Sequence, residues 1–285
     1  MGLNLVFGKI STTEKQALID LYRSTNGEYW TEKWNLSLPV SNWSGIEIEN
    51  GNVVSISLMN NNLSGELLSS VGDLKNLRVL NLAFNAIEGT LPRTIVQLKS
   101  LIVLRLGKNQ LTGSIPQNIG DLKKLVILDL FSNNISGEIP LSLGDIQSLK
   151  VISFSDNKIK GIIPEALGKL ESLERLELAD NQIKGTVPNA IGRLSNLSML
   201  VLSENDFIGK FPATVFSLPK LQVLQLQNNG FDKNHLKNNI PLEDNLALFE
   251  FDDIQDKIDL KSFNKLYSDR DFRTVDTKFE DDNDN

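Results

Sequence analysis

The chain has no cysteine and a single histidine among its 285 residues. Disulfides, thiolate metal sites and cysteine nucleophiles are thereby excluded. The histidine, His235, lies in the polar stretch "DKNHLKNN", where it reads as a solvated side chain. No nucleophile–histidine pair, metal-ligand cluster or phosphate-cradling glycine loop is present, so the sequence implies no enzyme, no cofactor and no metal. No apolar run reaches the roughly 18 residues of a membrane span. The net charge of −7 argues against a nucleic acid partner. Residues 1–231 carry 21 basic and 21 acidic side chains, against 8 and 15 in residues 232–285, so the acidic excess lies in the tail.

What the chain does have is a repeat. Asn61, Asn85, Asn109, Asn133, Asn157, Asn181, Asn205 and Asn229 recur every 24 residues, each inside the frame LxxLxLxxNxL. "LRVLNLAFNAI" (77–87) and "LIVLRLGKNQL" (101–111) show it. Numbered from the first apolar residue, the copies start at Val53, Leu77, Leu101, Leu125, Leu149, Leu173, Leu197 and Leu221. Positions 1, 4, 6 and 11 are apolar throughout. The alternation at 4 and 6 is strand-like and puts both side chains on one face. Stacked copies then form a parallel sheet, eight strands spanning roughly 40 Å at about 4.8 Å per strand. The asparagine follows the strand, where a buried amide can satisfy the backbone groups of a turn. These eight residues are expected to form a structural ladder.

The second half of each copy reads GxIPxxLGxL, as in "GSIPQNIGDL" (113–122). Glycine permits a tight turn there. The prolines from Pro92 to Pro212 allow at most a short second strand. The "xxLGxL" segment reads as a short helical turn on the opposite side. Strand on one side and helical turn on the other predict a curved α/β repeat solenoid. With these motifs the chain resembles the leucine-rich repeat family in its plant-type LxGxIP class, with seven full copies and one partial copy over 53–231. Leu68 departs from the pattern by replacing the first proline, as Val96 and Phe216 do by replacing the later glycine. The resemblance implies a superhelix with a parallel concave sheet, short helical turns on the convex side, and ligand recognition on the concave face.

A solenoid needs capped ends. Residues 11–52 read as a helical N-terminal cap. "STTEKQALIDLYRST" opens with capping residues and sets Ala17, Leu18, Leu21 and Tyr22 on one helical face. Trp30, Trp34 and Trp43 all fall here, suited to covering the first coil or, alternatively, to forming a carbohydrate platform. The pattern ALxxLYxxTNGxxW…NW is similar to the cap of exported members of the family, in the cysteine-free form found in microbial proteins. Residues 1–10 contain an apolar stretch, with Val6 and Gly8 at the −3 and −1 positions of a cleavage site. They read as the remnant of a signal peptide or as a disordered N-terminus. The first implies a secreted or cell-surface protein, the second a cytoplasmic one. Residues 232–285 read as a C-terminal cap, with an edge strand in "LALFEFDDI" and a short helix in "IDLKSFNKLY", followed by an acidic disordered tail. The tail's Asp281, Asp282 and Asp284 lack the spacing of a calcium loop.

Side chains at positions 2, 3, 5, 7 and 8 are expected to face out from the concave sheet. Two exposed aromatics, Phe84 and Phe131, stand beside a basic group of Arg78, Arg105 and Lys108, with Asp129 next to it. Repeats five to seven bring Asp156, Glu174, Glu177, Asp180 and Glu204 against Lys150 and Arg175. Such polarity would orient a partner of opposite polarity. The candidate ligand contacts are Phe84, Arg105, Lys108, Asp129 and Phe131. Lys158, Lys160 and Lys184 form a separate lateral group. The expected function is a non-catalytic, monomeric module binding a protein or peptide. The alternative is a surface-adhesive, glycan- or ice-binding protein, for which Thr90, Thr112 and Thr186 are too scattered to form an array.

Overall fold

The computed structural model describes residues 10–239 and 246–252. The expectations for the first nine residues, for the helix in 258–267 and for the acidic tail with its three aspartates lie outside them. Among the described residues the principal sheet has ten strands in chain order. From Asn52–Ser57 to Val223–Gln225 the strands are parallel, and Leu104 stands opposite Leu80 on one side and Leu128 on the other. These position-4 residues are fully buried, as are Leu82, Leu106 and Leu130 at position 6. Alternation sends both columns inward, and one continuous core runs the length of the stack.

Both ends of this sheet hold more than the repeat frame predicts. Ile46–Glu49 pairs antiparallel with Asn52–Ser57 through a hairpin at Asn50 and Gly51, whose φ angles are 49° and 77°. Asn-Gly suits a turn with two left-handed residues, so the signal was present in a segment read only as a helical cap. At the other end Leu248–Glu250 pairs in parallel with Val223–Gln225, in the same register as the repeats.

Each repeat asparagine ties its own coil to the one before. Asn133 Nδ2 donates to Leu130 O and Leu106 O, both at 3.1 Å, and its Oδ1 accepts from Leu111 N at 2.9 Å. Asn109 and Asn205 repeat the pattern. Asn85, Asn157, Asn181 and Asn229 do the same, half-buried. Asn61 has no preceding repeat and bonds to the cap instead, accepting from Glu32 N at 2.6 Å.

After the asparagine a lateral five-stranded sheet forms from segments between Ser136–Glu138 and Gly230–Phe231. Proline then ends the strand and opens a 3-10 turn, as Pro140 does for Leu141–Asp145. The later glycine lets successive turns pack. A Cβ at Gly144 would lie 2.4 Å from Ala166 O. Strands on one side and 3-10 turns on the other make the coil a curved α/β solenoid with the principal sheet on its concave side.

The N-terminal end is closed by α1, Thr12–Ser24, capped by Ser11, whose Oγ accepts from Glu14 N at 3.1 Å. Ala17, Leu18, Leu21 and Tyr22 are buried on one face. The buried Glu14 accepts from Val53 N at 3.2 Å, satisfying a donor at the start of the first repeat. Trp34 stacks on Trp43 at 4.9 Å, and all three tryptophans are buried. Their ring faces are occupied, which corrects the reading of an open carbohydrate platform. α2, Lys233–Asn239, follows the last full asparagine turn. His235 is likewise not merely solvated: it is half-buried, with Nε2 3.0 Å from Phe211 O.

Candidate binding face on the concave sheet

The strands Val103–Arg105, Ile127–Asp129, Val151–Ser153 and Arg175–Glu177 lie side by side. Together with Phe131 they line a recess of about 40 Å³. Arg105 is 6% exposed, although position 5 was expected to project freely. In a closely stacked sheet each outward side chain is shouldered by those of the neighbouring strands, and Arg105 is covered in this way. Among the described residues its Nε has no hydrogen-bond partner. Burial pulls the guanidinium below the ordinary arginine range and nearby Arg175 adds to this, while the Asp129 carboxylate opposes both.

Phe84 and Phe131, expected as exposed aromatics, are half-buried and pack edge-to-face with ring centroids 5.7 Å apart. Gly107, at position 7 of the intervening repeat, makes the contact possible. A Cβ there would lie 2.2 Å from Phe131 Cδ1. The sequence signal was a glycine where the next copy has phenylalanine, and the repeat frame alone gave it no role. Asp129 Oδ1 accepts from Phe131 N at 3.3 Å and borders the same recess.

The expected basic group does not gather. Arg78 pairs with Glu49 of the N-terminal hairpin. Arg105 sinks into the sheet, and Lys108 is exposed on the turn after it, with φ 57°. Position 5 is on the strand and position 8 on a left-handed turn, so closeness in sequence does not bring their charges together. The structure thus places Phe84, Phe131, Arg105 and Asp129 around one area and Lys108 at its edge.

Toward the other end much of the charge is already paired. Glu174 meets Lys150 at 3.1 Å. Glu177 accepts from Arg175 and, at 2.9 Å, from Ser153 Oγ. Asp156, Asp180 and Glu204 instead stand exposed at successive position-8 turns, with φ between 51° and 58°. Lys158, Lys160 and Lys184 belong to the lateral sheet and are exposed there. Among the described residues no group of three histidine, aspartate or glutamate side chains is placed to hold a metal ion. No helix among them is long and apolar enough to cross a membrane.

A stack of short parallel strands, asparagine turns and 3-10 turns around one core defines a repeat solenoid with an open concave face. The leucine rich repeat model matches residues 75–135, 140–183 and 173–231, more than half of the chain, and the protein belongs to that family. No curated protein sequence matches significantly. Among solved structures it resembles PEPR1 in complex with AtPEP1, at 29% identity and a TM-score of 0.72, covering 85% of this chain and 36% of that one. It also resembles the Arabidopsis receptor kinase HAESA in complex with the peptide hormone IDA and the co-receptor SERK1. There the identity is 34% and the TM-score 0.63, over 68% of this chain and 32% of that one. A plant ice-binding protein matches at 25% identity and a TM-score of 0.68, over 86% and 87% of the two chains. The chain spans about a third of the length of the PEPR1 and HAESA structures.

Proposed function

We propose that the protein is a non-catalytic binding module that takes a protein or peptide segment on the concave face of repeats two to four. The observation that carries this reading is the Phe84–Phe131 pair beside the Arg105 recess. Aromatic and arginine side chains are the usual anchors of interfaces. Here they converge on a face that the repeat leaves uncovered. The peptide hormone named with the HAESA structure agrees with this use of the fold. We assign the chain to the LxGxIP class with a cysteine-free cap, acting as a monomer outside the cell or at its surface.

The ice-binding likeness supports a second reading, since it covers nearly all of both chains. That function calls for regular rows of small hydroxyl or amide groups. Thr90 and Thr112 are bridged on adjacent coils, but the lateral sheet continues with Lys160 and Lys184. An ice-recrystallisation assay decides it, because inhibition at low protein concentration would favour this second reading.

The test of the first reading uses random linear peptides selected on the whole chain. Alanine at Phe84, Arg105 and Phe131 together should abolish capture of the selected peptides, each true anchor contributing about 2 kcal/mol or more. Alanine at Lys158, Lys160 and Lys184 should leave capture intact. Equal loss from both sets, or loss only from the lateral set, moves the site elsewhere.

A further inference from the structure

The recess has a mixed lining. Ile127, Phe131 and Val151 are apolar, Arg105, Asp129, Arg175 and Glu177 are charged, and Arg105 is buried. The Arg105 Nε–H, buried with no acceptor among the described residues, is unfavourable, because that donor has lost water without a hydrogen bond in exchange. Of the other charges lining the recess, Glu177 is engaged by Arg175 and Ser153. The Asp129 carboxylate favours the Arg105 charge and partly offsets the effect of its burial, and its Oδ1 also accepts from Phe131 N. The volume of about 40 Å³ suits a small polar group rather than a ring. By the space a single water needs, it holds on the order of three water-sized groups.

Building on the proposed peptide-binding role, we infer that the recess is a subsite for an acidic side chain of an extended peptide, seated on Arg105, with an adjacent apolar side chain against Phe131. Arg105 lines the recess, and the incoming carboxylate there supplies the acceptor that its Nε lacks. A charge-assisted bond of this kind is stronger than one to a neutral carbonyl, which selects aspartate or glutamate over asparagine or glutamine. The edge of the Phe84–Phe131 pair supplies the neighbouring apolar surface. The exposed column of Asp156, Asp180 and Glu204 sets the direction: basic residues of the peptide run toward the C-terminal repeats and the acidic residue toward the third. The partner is therefore a linear segment carrying an acidic–apolar pair at one end and basic residues at the other.

The experiment selects peptides on the whole chain from two random libraries. One is displayed through the peptide C-terminus, so that no free terminal carboxylate exists. The other presents a free C-terminus. The expected result is enrichment, in the first library, of Asp or Glu next to Phe, Trp or Leu. Replacing that acid by its amide in a synthetic, end-blocked peptide should weaken binding more than about tenfold. This change leaves the protein untouched, so folding is not at issue. Arg105→Gln should make acid and amide peptides bind alike, provided its melting curve shows a folded chain. Enrichment only in the free-C-terminus library overturns the inference by making the terminal carboxylate the ligand. Acid-independent binding that is still lost on Phe84→Ala or Phe131→Ala also overturns it, yet leaves the peptide-binding role standing. Failure to select any concave-face binder overturns both.

Discussion

Phe84 and Phe131 belong to the second and fourth repeats, yet their rings meet edge-to-face at 5.7 Å and 63°. Gly107 of the third repeat lies under the contact, and a side chain there would occupy the place of the Phe131 ring. The concave face thus gains an aromatic ridge that spans three coils, next to the recess that holds Arg105.

Gly107→Ala should push the Phe131 ring off Phe84 without unfolding the coil, because the ring can rotate away. Such a pair contributes about 0.5–1.5 kcal/mol beyond its buried area. A double-mutant cycle between Phe84→Ala and Phe131→Ala should give a coupling of that order in the natural chain and almost none in the Gly107→Ala background. An unchanged coupling would show that the glycine has no part in the contact.

Asn133→Leu should lower stability by about 1–3 kcal/mol, because Leu111 N and the carbonyls of Leu106 and Leu130 lose their buried partner. Asn134→Ala, one residue on and exposed, should change little. Denaturant midpoints of the two variants should separate clearly, and equal midpoints would contradict the bridging role.

Glu14→Ala should strip the first repeat of the acceptor for Val53 N and remove a partner of Ser11. A cost of about 1–3 kcal/mol follows from leaving that buried donor unpaired. Amide exchange should rise first at Val53 and its neighbours. Unchanged exchange there would mean that the helix cap and the first coil are held by apolar packing alone.

The fold was legible because each 24-residue copy states the same instruction, so a departure in one copy is outvoted by seven others. Leu68, Val96 and Phe216 break the pattern without breaking the coil. The ends were less legible, since nothing there is repeated. The Asn50–Gly51 hairpin was marked only by a dipeptide. The candidate site was legible as a choice of residues but not as an arrangement. Spacing put Phe84, Arg105 and Phe131 on one face. It could not show that Gly107 joins the two rings, that neighbouring strands bury Arg105, or that Arg78 turns away to Glu49. Those facts depend on contacts between coils, which a frame counted within one coil does not contain.

The most direct test of concave-face recognition is to map where a bound peptide lies. A selected peptide with a photoreactive benzophenone in place of its apolar residue should be cross-linked to the chain and the adduct located by mass spectrometry. Adducts on Ile127, Phe131 or Val151, lost when the unlabelled peptide competes, are the predicted result. Adducts confined to the lateral strands, such as Lys158–Gly161, or to the 3-10 turns on the convex side would contradict the account.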